Sequence, residues 1–188
     1  MNSNQQYQQS NCGECSLCCK LLKIEAEPEA IPEFKFKDWN TWCPHALKQK
    51  ARLGGCGRYE SRPQACRTFE CVWIQSQHRQ DVPSLPLALK PNNCHVVMAG
   101  SFEDSMVMFA YVDPTHPNAW RQDPLRQHLI NVSNLGVTVV IVSRQRRYIM
   151  TRDSPTIELK ESELEELVGE KLFKRTKKEG IQWAWKKE

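Results

Sequence analysis

Apolar residues are unevenly spaced along the chain, and the change in spacing separates a regular second part from an irregular first part. Residues 94–100 (CHVVMAG) and 105–112 (SMVMFAYV) are short, almost unbroken apolar runs, which predicts two strands, and SFED between them suits a hairpin. The run VTVVIVS (137–143) is β-branched nearly throughout and is the clearest strand signal in the sequence. RQRR then makes a turn into YIMT (148–151), a further hairpin. Between these pairs, residues 118–134 bring Trp120, Leu125, Leu129 and Ile130 near one face of a predicted helix that ends before Gly136. Residues 161–173 (ESELEELVGEKLF) predict an amphipathic helix opened by acidic residues, followed by the basic and aromatic KRTKKEGIQWAWKKE.

The first part has no such rhythm. Pro28, Pro32, Pro44, Gly54, Gly55, Gly57 and Pro63 punctuate it, so loops and short helices are expected. Residues 21–34 read as an extended piece and a turn, and 45–53 as a short helix ending at Gly54-Gly55. From Arg67 to His78 the residues Phe69, Val72 and Trp73 recur at helical spacing. Residues 1–11 are polar and read as a disordered leader. The expected organisation is therefore a leader (1–11), a cysteine-rich metal-binding module (12–80), an α/β part packed on it (81–175) and a basic aromatic tail (176–188). The fold class is α+β: an irregular cysteine-rich module with short helices, joined to a small antiparallel or mixed sheet with helices.

Cysteine changes the picture most. Of nine cysteines in 188 residues, eight lie between positions 12 and 71, and Cys12, Cys15, Cys18 and Cys19 form a C-x-x-C-x-x-C-C array. Cys43, Cys56, Cys66 and Cys71 follow. The opening MNSNQQYQQSN lacks the basic and apolar regions of an export signal, and no apolar run approaches membrane length, so a cytoplasmic, non-membrane protein is expected. There, so dense a set of thiols points to metal thiolates rather than disulfides. The formal charge of +4 fits the same picture: eight thiolates around two divalent ions would leave four negative charges to offset. Arg58, Arg62 and Arg67 lie within the last cysteine block, where they can supply counter-charge, and Arg62 and Arg67 can also donate to sulfur.

A two-residue spacer lets two sulfurs face one ion across a tight turn, as in Cys12/Cys15 and Cys15/Cys18. Adjacent Cys18 and Cys19 are expected to point apart, one of them reaching a second ion or bridging. Cys43 sits in WCPH, where His45 is a candidate substitute ligand. Cys94, isolated in an apolar strand, reads as a buried thiol, and neighbouring His95 as an ordinary histidine rather than a ligand. Eight thiolates suit two four-coordinate zinc or iron ions, two iron–sulfur clusters, or one shared polynuclear centre.

These motifs carry a resemblance. The quartet, then Trp42-Cys43-Pro44, then GGCGRYESRPQACRTFEC, with its C-x-x-Y-x-x-R-P-x-x-C-R-x-F-x-C spacing from Cys56 to Cys71, resembles the CxxCxxCC family of zinc- or iron-chelating proteins. The match covers roughly residues 12–73. It implies metal binding by Cys12, Cys15, Cys18, Cys19, Cys43, Cys56, Cys66 and Cys71, and no particular reaction.

No H-E-x-x-H, G-x-S-x-G, Walker loop or G-x-G-x-x-G occurs, so hydrolase and nucleotide-enzyme readings have no residues behind them. Three readings stay open. The first is a zinc- or iron-binding protein using metal for structure, storage or delivery. The second is an iron–sulfur oxidoreductase. The third is a nucleic-acid-binding zinc module that would use the tail lysines with Trp183 and Trp185; a solvated helix end explains that tail equally simply and ranks ahead of it. Metal ions are the expected partners, and the sequence names no protein partner.

Overall fold

The computed structural model describes residues 15–25, 36–46, 56–81, 83–100, 107–152 and 154–159. The first helix, α1 (Leu17–Leu21), carries two of the quartet cysteines. Strand β1 (Ile24–Glu25) pairs antiparallel with β2 (Phe36–Lys37); of the extended piece and turn expected over 21–34, Leu21 ends α1 and residues 26–34 lie outside the described residues. The expected helix from residue 45 does not begin there: Ala46 forms an isolated antiparallel bridge with Cys56. Residues 47–55, the remainder of that expectation, lie outside the described residues.

The helical spacing from Arg67 to His78 resolves into two helices, α2 (Gln64–Thr68) and α3 (Val72–His78). Phe69 and Cys71, between them, take extended backbone. The two face different surroundings: no side chain of α2 is fully buried, whereas α3 buries Val72, Trp73, Ile74 and Ser76. The connector then forms α4 (Pro91–Cys94), opened by a proline whose missing N–H costs nothing at a first helical position. Cys94 therefore ends a helix rather than starting a strand, and His95 turns the chain with φ 58°.

Strands β3 (Val96–Ala99) and β4 (Val107–Val112) pair antiparallel, in the order the sequence predicted, while SFED between them lies outside the described residues. The expected long helix is shorter at its start. Ala119–Arg121 make a 3-10 turn, and α5 (Leu125–Asn134) begins only after Pro124. Proline has no N–H and clashes with the preceding turn, so a continuous helix through position 124 is excluded. At the other end Gly136 adopts φ 90° and donates to the Ser133 carbonyl at 2.9 Å, a left-handed stop open to glycine.

Strand β5 (Thr138–Ser143) runs parallel to β4, and α5 is the crossover between them. Strand β6 (Arg146–Thr151) starts two residues earlier than expected, because Arg144 takes the positive φ of the turn and Arg146 already pairs with Ser143. A fifth strand, β7 (Ser154–Leu159), was not anticipated; it completes a mixed sheet in the order β3-β4-β5-β6-β7. The expected helix 161–173 and the tail lie outside the described residues.

Alternation along β5 sorts its side chains between two clusters. Val139 and Ile141 join the main core with Leu125 and Leu129 of α5, while Val140 packs with Val107, Phe109, Val142 and Leu159. The main core does not stop at the sheet. Leu17 and Leu21 of α1 and Val72, Trp73 and Ile74 of α3 belong to the same cluster as Val96 and Val97. Trp39, just after β2, stacks on Tyr111 of β4 with ring centroids 5.3 Å apart. The elements bearing the cysteines are thus seated on the β3–β4 side of the sheet. No helix among the described residues is long and apolar enough to cross a membrane.

Candidate metal centre

Helix α1 shows how the sequence positions sulfur. Leu17 and Leu21 are four residues apart and both buried, which anchors one face of the helix in the core and leaves Cys18 and Cys19 on its other sides. The Cys43 amide donates to the Cys19 carbonyl at 2.9 Å, so the WCPH loop is tied directly to the quartet. Cys43 is buried with Ala46 against Cys19 and Trp42. The Ala46–Cys56 bridge and a Gly57 N–H to His45 carbonyl bond of 2.8 Å then bring the next cysteine block alongside. Cys66 arrives on α2. Arg67 Nε and Nη2 donate to the carbonyls of Arg62 (2.7 Å) and Glu60 (3.1 Å), bracing the turn ahead of that helix. Arg67 therefore donates to backbone carbonyls, where counter-charge or donation to sulfur was the expectation. Arg62 does act electrostatically on Cys19, Cys56 and Cys66.

Among the described residues no cysteine is joined in a disulfide, and the environments of the thiols differ sharply. Cys19 is drawn down to about 7, chiefly because the Cys18 thiol donates to it; burial opposes this, and Lys37 and Arg62 add to it. The adjacent pair thus meets in a hydrogen bond, where side chains pointing apart had been expected. Cys66 is pushed up to about 12 by burial and by the neighbouring charges of Cys19, Cys43 and Cys56. Burial also raises Cys56, with Cys19 and Cys43 adding to it. Cys18, Cys19, Cys43, Cys56 and Cys66 thus share one electrostatic neighbourhood.

Cys15 stands at its margin. Burial raises Cys15, which receives amide bonds from Leu17 and Asn92 and feels Lys90 and, more weakly, Cys19. Its other sulfur neighbour is Cys94, itself raised to about 11 mainly by burial. Cys71 opens α3 and is buried with the main core. Cys12 lies outside the described residues.

Lys37 was missed by sequence reasoning. It is 5% exposed, and its ammonium donates to the carbonyls of Leu22, Lys20 (3.2 Å) and Asp38 (3.1 Å). Burial lowers its pKa, while Cys19, Cys43, Cys18 and Cys66 act in the opposite sense and favour the cation. Nothing in FKFKDW marks this lysine: alternation with phenylalanine suggests an exposed strand position. Only the pairing of β1 with β2 brings it beneath α1.

Residues 11–94 match a family model. This segment resembles the CxxCxxCC family. The family is described as a putative zinc- or iron-chelating domain. No curated protein and no solved structure matches the chain. The matched segment includes every cysteine of the chain and reaches α4, past the residues that carried the resemblance. Sulfur-rich donor sets suit both metals of the family description, zinc and iron. The donors fit such an ion chemically: one thiol already titrates near neutral pH, and buried cations stand ready for negative charge. The sulfurs are gathered but not closed up. Among the described residues, no three of them lie within 4.8 Å of one another, whereas His95, Asp113 and His116 do.

Proposed function

We propose that the cysteine-rich segment holds zinc or iron through thiolates drawn from Cys12, Cys15, Cys18, Cys19, Cys43, Cys56, Cys66 and Cys71, with the metal used for structure, storage or delivery. The module spans residues 12–80, the α/β part 81–175 packs on it, and the protein works in the cytoplasm, where thiols stay reduced. The observation that carries this reading is Lys37. A buried ammonium is costly unless opposite charge accompanies it; beyond three backbone carbonyls, the charged groups that favour the Lys37 cation are sulfurs. Thiolates at a metal supply that charge permanently, because ligating sulfur is deprotonated.

Each residue then has a task. Cys19, whose thiol is drawn down to about 7, is the natural first ligand. Cys56 and Cys66 hold their protons at neutral pH and release them as the ion is captured. Lys37 and Arg62 balance the charge of the loaded centre. A bound ion would draw the sulfurs together, and binding free energy would become folding free energy.

The test is anaerobic purification followed by metal analysis and absorption spectroscopy. A colourless protein with roughly two zinc ions, the capacity of eight thiolates in four-coordinate sites, is expected for structure or storage. A brown protein with acid-labile sulfide would move the reading to an iron–sulfur oxidoreductase. A protein without bound metal that also fails to take up zinc or iron after reduction would overturn it.

A further inference from the structure

Another constellation stands at the end of the β3–β4 pair and uses no cysteine. His95 precedes β3 in a left-handed turn, and Asp113 follows β4. The Asp113 amide donates to the His95 carbonyl at 2.9 Å, which extends the strand pairing by one step. A turn closed by the His116 amide on the Asp113 carbonyl (2.8 Å) then folds His116 back over His95. The two rings stack with centroids 3.7 Å apart and planes 6° apart. One ligand atom from each of His95, Asp113 and His116 lies within 4.8 Å of the other two.

We propose that His95, Asp113 and His116 form a site for a divalent transition-metal ion of the zinc or iron(II) class. Two imidazoles and one carboxylate are the donor set such ions favour, and three protein ligands leave coordination positions open. Because lone pairs in parallel ring planes cannot meet at one ion, the exposed His116 ring must turn out of the stack to ligate. Calcium and magnesium prefer all-oxygen surroundings, so they are poor candidates.

The residues around the three ligands are arranged as supports. Asp113 is 5% exposed, and its described hydrogen bonds all go to Oδ1: from Lys20 Nζ at 2.6 Å, the Thr115 amide at 2.9 Å and Thr115 Oγ1 at 2.7 Å. Oδ2 is the oxygen left for an ion. Thr115 Oγ1 also lies 3.0 Å from His116 Nδ1. Because the hydroxyl proton goes to the carboxylate, the same oxygen must accept from Nδ1–H. That fixes the tautomer of His116 with its lone pair on Nε2, the form a metal needs.

One neighbour opposes a cation. Lys20 sits on Asp113 and belongs to α1, next to Cys19. An ion here must share the carboxylate with that ammonium, so removing the charge should tighten binding. A purely structural His–Asp–His cluster would show no such response.

The experiment is a cobalt(II) titration of the reduced full-length protein. Cobalt on thiolates produces sulfur-to-metal charge-transfer absorption, and cobalt on imidazole and carboxylate does not. The wild type should take up a cobalt ion that adds no charge transfer. In His116→Ala, whose side chain is exposed and whose loss the fold should tolerate, that binding step should weaken at least ~10-fold, since even a supporting partner of a ligand is worth that much. The thiolate bands should be unchanged, and Lys20→Met should strengthen the same step severalfold. Ring resonances of His95 and His116 should shift when zinc is added to the wild type. Equal uptake by wild type and His116→Ala, or no shift of those resonances, would overturn the proposal. Missing charge transfer would count against the thiolate reading alone, so the two readings fail separately.

Discussion

Replacing Lys37 with methionine removes a buried positive charge while nearly preserving the shape of the side chain. Cys19 stands at about 7 against an ordinary value of 9.0. That difference of two units corresponds to about 3 kcal/mol in favour of the thiolate. The Cys18 hydrogen bond is its largest source, and Lys37 is the leading charge. Losing one adjacent opposite charge should return about one unit, the lower end of the range for such neighbours. At pH 7 the thiolate fraction of Cys19 would then fall from roughly a half to roughly a tenth, and its reaction with iodoacetamide should slow about fivefold. The assay is alkylation of the reduced, metal-free protein across roughly pH 6 to 9, with the Cys19 peptide quantified by mass spectrometry. Cys18→Ala should raise the midpoint further, because it removes the larger contribution. A Cys19 midpoint that stays put in Lys37→Met, with the protein folded by circular dichroism, would refute the reasoning.

Three further outcomes are expected. Lys20→Met breaks a largely buried ion pair and leaves Asp113 uncompensated, so urea denaturation should show a loss of roughly 3 kcal/mol; a change near zero would mean that the bridge does not hold α1 to the sheet. The metal-free protein should weaken on the alkaline side. Cys66 and Cys94 have folded pKa values raised to about 12 and about 11, so their contribution is complete below the unfolded value of 9.0 and is lost as pH rises through those raised values. A denaturation midpoint that stays constant over that range would contradict these positions. Leu129→Ala, at a fully buried position of α5, should cost roughly 2–5 kcal/mol in the same assay, and a smaller loss would show that the core can collapse into the space.

Local signals explain what the sequence disclosed. The strands of 94–112 and 137–143 were legible because β-branched and aromatic residues run nearly unbroken, and the stop at Gly136 because glycine accepts a positive φ. Pro124 should have shortened the helix on sequence grounds alone. Strand β7 was not legible: SPTIEL carries a proline and a glutamate, and its place at the edge of the sheet follows from pairing with β6. The cysteines announced their own chemistry through spacing. Lys37 did not, because burial beneath α1 is a tertiary fact. His95 and His116 are far apart in sequence, and only the β3–β4 pairing brings their rings together. Charged and imidazole groups that act across the fold leave no periodic trace, whereas thiols in tight spacing do.

X-ray absorption at the metal edge of the anaerobically purified protein reads the nature of the ligating atoms directly. A sulfur-dominated shell at about 2.3 Å, lost together with the metal in Cys19→Ser and Cys66→Ser, is the outcome expected if separated stretches of the chain converge on one thiolate centre. A shell of nitrogen and oxygen without sulfur, or an unaltered spectrum in both variants, would contradict that claim.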